Sequence, residues 1–397
     1  MYDVAIVGAR CAGSTLALML AREGAKVLII DRTSFPSDTM SGHFIQPAGV
    51  SCLKRLGLYE DLVTLGFPPQ ETMTVDFGSV VLSGKPAAMP DGTTIGFAPR
   101  RHRLDPMLAE AAVAAGADLR EATSFLEPLI EGGSVVGLRT GRGGRTEDVR
   151  ARLVVGADGK RSRVARSVGA NPYDVHAATT CCYYTYWEGA AVASTRLFIR
   201  EGLFAVTVPC GNGVTFLAIA WPHDHFAKVR ADIDRTTREA IMGVPCLAEH
   251  FGHAQPAERY VGTADLDSYF RTAAGPGWAL VGDSGYHKDP ITAQGMTDAF
   301  LDAELLATMV VEGLGGKRPL DDALSDYGLR RDNRARPMHR LTADFARLVP
   351  PPAEALAGMA VAAADPIATG RFLGVMAGSV PVNDVFGPPA VDVASAA

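Results

Sequence analysis

The sequence has no long hydrophobic run. No stretch reaches the ~18 uninterrupted apolar residues that cross a bilayer, so no transmembrane segment is expected. The closest approach, Ala353–Ala364, is stopped by Asp365 and Pro366 and reads as an alanine-rich helix packed against the rest of the protein. The first apolar run, Val4–Val7, is too short for a secretory signal and has no charged leader. Basic charge is also scarce. The net charge is −6, and the arginines of Arg330–Arg340 are interleaved with Asp332, as on a solvated helix face. A nucleic-acid binder would carry a basic stripe, so that class is excluded. None of the six cysteines (Cys11, Cys52, Cys181, Cys182, Cys210 and Cys246) forms a Cys-x-x-Cys pair, and no His/Cys cluster has zinc spacing. Neither a redox dithiol nor a metal site is therefore expected, and the thiols read as reduced and mostly buried in a cytoplasmic protein.

The 397 residues, 47% apolar and 21% charged, exceed what one hydrophobic core usually carries, so two domains and a tail are expected. The opening reads strand, glycine turn, helix, strand: Asp3–Val7, Gly8–Gly13, Ser14–Arg22 and Lys26–Ile30, ending at Asp31. This βαβ start implies an α/β fold with a parallel sheet. Gln46–Leu65 and Arg101–Ala115 read as helices, and Thr72–Phe97 as short strands and loops. Ser134–Arg139 and Thr146–Val155 read as strands joined by a glycine-rich hairpin. From Thr179 to Pro222 aromatic and β-branched residues alternate in three or four runs, the pattern of an antiparallel sheet with one buried face. Within the first run Cys181 and Cys182 should point to opposite faces. Trp278–Val281 is one more buried strand and Met296–Glu312 a helix; beyond Pro319 the chain is helical with proline breaks and a frayed last ten residues.

Three motifs carry chemistry. The first is Gly8-Ala9-Arg10-Cys11-Ala12-Gly13. Gly8 permits a tight turn, Gly13 lets the helix approach the strand, and the helix start offers unpaired N–H groups and a partial positive charge to a pyrophosphate. Asp31, about 20 residues on, is placed to accept from ribose hydroxyls. Arg10 stands where the usual fingerprint has its middle glycine; it either supplies positive charge to the phosphates or points outward. The second motif is Gly156-Ala157-Asp158-Gly159, at the end of a buried strand and followed by Ser162, Arg163 and Arg166. It reads either as a ligand-binding strand end or as an Asp-Gly turn capping a helix. The third is Gly282-Asp283-Ser284, then His287-Lys288-Asp289-Pro290, then Gln294-Gly295-Met296 before a long helix.

In this order and at these separations, the motifs resemble the FAD-binding fold of the p-hydroxybenzoate hydroxylase type. That superfamily holds the single-component aromatic hydroxylases, the geranylgeranyl reductases and the flavin-dependent halogenases. The resemblance implies a Rossmann-like FAD-binding domain over residues 1–72, 98–175 and 275–318. It implies an antiparallel substrate domain over 73–97 and 176–274, and a helical region over 319–397. It implies FAD as cofactor, with Gly8, Gly13 and the amides around Ala12 and Ser14 at the pyrophosphate and Asp31 at the adenosine ribose; Arg10 and Arg32 are further cofactor-binding candidates. Arg101 matches an arginine that contacts FAD, and Asp158 and Gly159 match a motif tied to both FAD and NAD(P)H. Asp283 would hold the ribityl chain, Gly282 is a further cofactor-binding candidate, and Pro290 and the amides near Gly295 and Met296 would line the flavin ring.

The halogenase signature Trp-x-Trp-x-Ile-Pro is absent, and Tyr183-Tyr184-Thr185-Tyr186-Trp187 is only loosely like the aromatic signature of the geranylgeranyl reductases. A hydroxylating monooxygenase is favoured by elimination, with NAD(P)H as transient electron donor, O2 as oxidant and a small aromatic or polycyclic substrate. The alternatives are a flavin-dependent reductase or dehydrogenase, and a flavin-fold binding protein without turnover. The lack of a second Gly-x-Gly-x-x-Gly argues against a two-dinucleotide-domain enzyme. The run 179–222 is expected to roof the substrate pocket; Tyr184 and Tyr186 share one face of it, Tyr183 and Trp187 lie off that face, and the sequence leaves open which face is used. His43, Tyr184 and Pro290 are the candidate catalytic residues, and His43 also counts among the cofactor-binding candidates. Oligomeric state is left open.

Overall fold

A computed structural model describes residues 1–41, 43–190 and 192–387. Its elements begin with β1 (Tyr2–Val7), α1 (Cys11–Arg22), β2 (Val27–Ile30), α2 (Pro47–Arg55), α3 (Tyr59–Thr64), β3 (Met73–Asp76), β4 (Val81–Gly84) and α4 (Arg101–Ala114). There follow β5 (Asp118–Arg120), β6 (Ser124–Glu131), β7 (Ser134–Arg142), β8 (Arg145–Gly156), α5 (Arg163–Ser167), β9 (Pro172–His176), β10 (Thr180–Glu188), β11 (Thr195–Arg200), β12 (Leu203–Pro209) and β13 (Val214–Pro222). The rest is α6 (Phe226–Ala231), α7 (Ile233–Gly243), α8 (Pro245–Phe251), β14 (Gln255–Pro256), β15 (Val261–Thr263), β16 (Ser268–Arg271), β17 (Ala274–Gly275), β18 (Trp278–Leu280), β19 (Tyr286–His287), α9 (Gly295–Leu314), α10 (Leu320–Phe345), α11 (Ala353–Ala363), α12 (Pro366–Ala377) and α13 (Asn383–Phe386).

The first sheet runs β17-β18-β8-β1-β2-β5, and β18, β8, β1, β2 and β5 are parallel to their neighbours. These strands are continuous apolar runs because both faces are covered, one by α1, α4 and α9 and the other by β6, β7 and α5; Val4, Ala5 and Ile6 of β1 are fully buried. The antiparallel pair β6 and β7 extends from β8. The second sheet runs β14-β10-β13-β12-β11-β3-β4, with β15 also on β10. β10 to β13 form the expected antiparallel meander, but β3 joins β11 in parallel, which the local alternation could not announce. Cys181 and Cys182 face opposite sides of β10, Cys181 in the cluster that includes α6, α7 and α8 and Cys182 on the face shared with Phe216 and Ala218.

Several boundaries differ from the sequence reading. Helix α1 starts at Cys11 rather than Ser14, since Arg10 already accepts the first helical bond from the Ser14 N–H. The single helix expected over Gln46–Leu65 is two, because Gly57 adopts a left-handed φ of 67° after α2. Pro337 sits inside α10 without breaking it. β6 went unread because half-exposed residues leave it without a clear period. The alanine-rich segment is not packed inside: α11 buries none of its residues. No helix among the described residues is long and apolar enough to cross a membrane. The last ten residues, read as frayed, lie outside the described residues.

Candidate functional site

Four neighbouring parallel strands deliver their carboxyl ends to one place. Gly8 follows β1, Asp31 follows β2, Asp158 lies just beyond β8 and Gly282 follows β18, and all line one cavity of about 830 Å³. The three sequence motifs, separated by up to hundreds of residues, are therefore one site.

The turn after β1 is built by close packing. Gly8 has φ 109°, and a Cβ there would collide with the Ala157 carbonyl of the second motif. A Cβ on Gly13 would collide with the Gly8 carbonyl, so the helix lies against the turn only because both positions lack side chains. Helix α1 then begins without a side-chain cap and without an acid in its first turn. The amides of Cys11, Ala12 and Gly13 have no partner inside the helix, which makes this end a receptor for an anion. The Ser14 amide does not belong to that set. It bonds the Arg10 carbonyl, its hydroxyl bonds Ala9, and Ser14 is fully buried away from the cavity.

Asp31 is buried at the end of β2. One oxygen accepts from the Ala9 N–H at 2.9 Å and the other from the Thr33 amide and hydroxyl at 2.9 and 2.8 Å. It thereby holds the glycine turn while facing the cavity beside Arg32. Arg10 also lines the cavity, yet its guanidinium is neither free for a phosphate nor turned to solvent. Nη1 meets Asp105 Oδ2 at 2.5 Å and Nη2 donates to Ser37. Arg101 donates to the other Asp105 oxygen at 2.9 Å. Asp105, fully buried, is the residue that sequence reading missed; its signal was the four-residue spacing from Arg101, one helical turn.

Asp158 does what a helix cap does. It accepts from Ser162 Oγ at 2.5 Å and from the Arg163 amide at 2.6 Å at the start of α5, and Ser284 of the third motif donates to it at 3.2 Å. Gly159 receives its place through Ser284 as well. The second and third motifs are thus stitched together directly. Asp283, Pro290 and Gly295 are exposed and line the cavity, as does Met296 in the first turn of α9. Lys288, also on the wall and buried, is paired with Asp298 of α9; the fully buried Asp302 of the same helix is paired with the exposed Arg334.

The remaining wall is one face of the second sheet. Cys182, Tyr184, Leu197, Phe204, Val206, Phe216, Ala218 and Ala220 point to the cavity. Trp187 and Tyr183 are on the other face, packed against Phe251 and Phe226. The question the sequence left open is answered for Tyr184 and its face. Tyr186, on that face too, is sealed under the Arg100 guanidinium, 3.9 Å from its ring centre. His43 lines the cavity among Tyr184, Phe216 and Tyr186, with ring centres 5.6, 5.8 and 6.0 Å away. Burial, helped by the Arg101 charge, lowers its pKa to about 3, so the ring is neutral near pH 7. Its Nδ1 has no partner among the described residues. Met376, from α12, also lines the cavity, a contribution no local pattern announced.

A family model described as FAD binding domain matches residues 1–342. Among curated proteins, the chain is 27% identical over 335 residues to 6-methylpretetramide 4-monooxygenase of Streptomyces rimosus, covering 82% of this chain and 78% of that protein. It is 26% identical over 348 residues to a digeranylgeranylglycerophospholipid reductase of Methanocella arvoryzae, covering 82% and 81%. Among solved structures, a flavin-dependent brominase superposes with a TM-score of 0.82 at 19% identity, covering 95% of this chain and 93% of that one. The probable FAD-dependent monooxygenase PqsL of Pseudomonas aeruginosa superposes with a TM-score of 0.74 at 20% identity, covering 93% and 98%. These two structures are alike in fold.

Proposed function

The chain belongs to the FAD binding domain family, with the α/β fold of the p-hydroxybenzoate hydroxylase type, and on that premise we propose that it is a monooxygenase. It takes electrons from NAD(P)H and hydroxylates a small aromatic or polycyclic compound in the cytoplasm. One observation carries this reading: the strand ends that suit a dinucleotide and an apolar sheet face enclose the same cavity. The relationship to the Streptomyces monooxygenase supports it.

The residues fit FAD. The uncapped start of α1 suits the pyrophosphate, Asp31 and Arg32 the ribose, and Arg101 and Asp283 the middle of the cofactor, leaving Pro290, Gly295 and Met296 for its ring. Residues 1–72, 98–175 and 275–318 serve the cofactor, 73–97 and 176–274 the substrate. When bound, FAD supplies the redox chemistry, accepting electrons from the nicotinamide and activating O2. The protein contributes placement and dryness. The sheet face excludes water, and Tyr184 and neutral His43 offer hydrogen-bonding groups that carry no charge at working pH; burial raises the Tyr184 hydroxyl to about 12.

The Methanocella relative favours a second reading, reduction of a carbon–carbon double bond without oxygen insertion. Oxygen consumption separates the two. The purified protein should release FAD, not FMN, on denaturation, and substrate should stimulate NAD(P)H oxidation with matching O2 uptake. Substrate reduction under argon, with no oxygen uptake in air, favours the second reading. Protein that neither carries nor takes up FAD overturns both.

A further inference from the structure

The cavity is divided by charge. Most of its charged residues, such as Arg10, Asp31, Arg101 and Asp283, come from the first sheet's strand ends and the loops and helices around them, and Asp265 comes from the loop after β15. Across the second sheet, β10, β13, β12 and β11 contribute no charged side chain to the cavity among the described residues.

The register gives this face a shape. Tyr184 lies beside Ala218, which lies beside Val206, and Val206 beside Leu197. One row along, Cys182, Ala220 and Phe204 are neighbours in the same order. Small side chains at Cys182, Ala218 and Ala220 therefore form a trough, flanked by Tyr184 and Phe216 on one side and by Phe204 and Val206 on the other. Neutral His43 stands over the Tyr184 and Phe216 rim, its Nδ1 without a partner among the described residues. The charged groups nearest the ends of β10 do not suit an acid. Asp289, an acid itself, bonds Thr180 and the Ile291 amide, and the Arg100 guanidinium is committed to the Tyr186 ring and to Glu258 at 2.8 Å.

We propose that the substrate is an uncharged fused-ring compound bearing a hydroxyl or carbonyl group, lying edge-on in the trough floored by Ala218 and Ala220, and that carboxylate- or phosphate-bearing substrates are excluded. Flanking aromatic rings suit a flat ring system. An anion placed there would lose its water, and the cations Arg100, Arg101 and Lys288 around the cavity are already paired, with Glu258, Asp105 and Asp298. His43 offers a neutral partner for the polar substituent. The inference rests on the reading of the cavity as a substrate site and names what the site selects.

The test is calorimetric binding to the FAD-loaded protein, with hydroxyanthraquinone and its carboxylate analogue as probes. The neutral probe is expected to bind, and the acid about tenfold or more weakly. Ala218→Leu fills the trough and should weaken the neutral probe about tenfold with FAD content and melting temperature unchanged; Ala220→Val serves if Ala218→Leu does not fold. Val206→Arg should reverse the preference toward the acid. Equal or tighter binding of the acid to the wild type overturns the inference, as does binding of neither probe or indifference to filling the trough. Binding of the neutral probe without oxygen uptake defeats the monooxygenase reading and leaves this one standing. Oxygen uptake specific to an acidic substrate does the reverse.

Discussion

A methyl group on Gly13 would overlap the carbonyl oxygen of Gly8. Helix α1 and the turn that precedes it touch backbone to backbone, so the helix start is held at a fixed place beside the strand ends. Gly13→Ala should force the helix off the turn and abolish FAD retention, while Gly24→Ala, at a position with open space around it and a φ of 81°, should cost stability without emptying the site. Flavin content after gel filtration reads the difference; full flavin in Gly13→Ala would contradict it.

Asp31 both fixes the glycine turn through the Ala9 amide and faces the cavity. Asp31→Asn should weaken FAD by about 1–3 kcal/mol, the worth of a charge-assisted hydrogen bond. Fluorescence titration of the apoprotein measures this, and an unchanged Kd would remove Asp31 from the cofactor site.

Asp105 neutralises Arg10 and Arg101 together. Asp105→Ala strands a buried Arg101 and should cost about 3–5 kcal/mol in chemical denaturation. Arg10→Gly should cost less, because Arg101 keeps its carboxylate. The opposite order would show that Arg10, not Asp105, organises this corner.

His43 gives the protein an acid-sensitive component. Its folded pKa is lowered from 6.5 to about 3, chiefly by burial and then by Arg101. As pH falls below 6.5 the unfolded chain binds a proton that the folded ring refuses, so the contribution is fully present above that pH and is lost progressively toward pH 3. His339, lowered to about 4, acts in the same direction, whereas buried Asp289 and Asp302, whose pKa values are raised by burial, act in the opposite one. The informative comparison is therefore with His43→Gln: its melting temperature should fall less steeply than that of the wild type between pH 6.5 and 4. Parallel curves would refute the assignment.

The two faces of β10 make a further contrast. Tyr184→Phe should alter substrate affinity, while Tyr183→Phe, stacked on Phe226 on the far face, should leave it unchanged. Equal effects, measured by substrate-stimulated flavin reduction, would move the pocket elsewhere.

The elements that sequence alone determined are those whose signal is local. The glycine turn, the buried runs of β1 and β2, the terminal Asp31 and the alternation of residues 179–222 are properties of neighbours in the chain, because turn sterics and side-chain periodicity act within a few residues. The three motifs could likewise be read one by one. What the tertiary structure decided was everything set by long-range packing. It joined β3 to β11 in parallel, chose the Tyr184 face over the Trp187 face, and brought Met376 from α12 into the cavity lining. It also turned Arg10 from a possible phosphate ligand into the partner of Asp105, since a buried carboxylate must find its cations wherever the fold has placed them, whatever their distance in sequence.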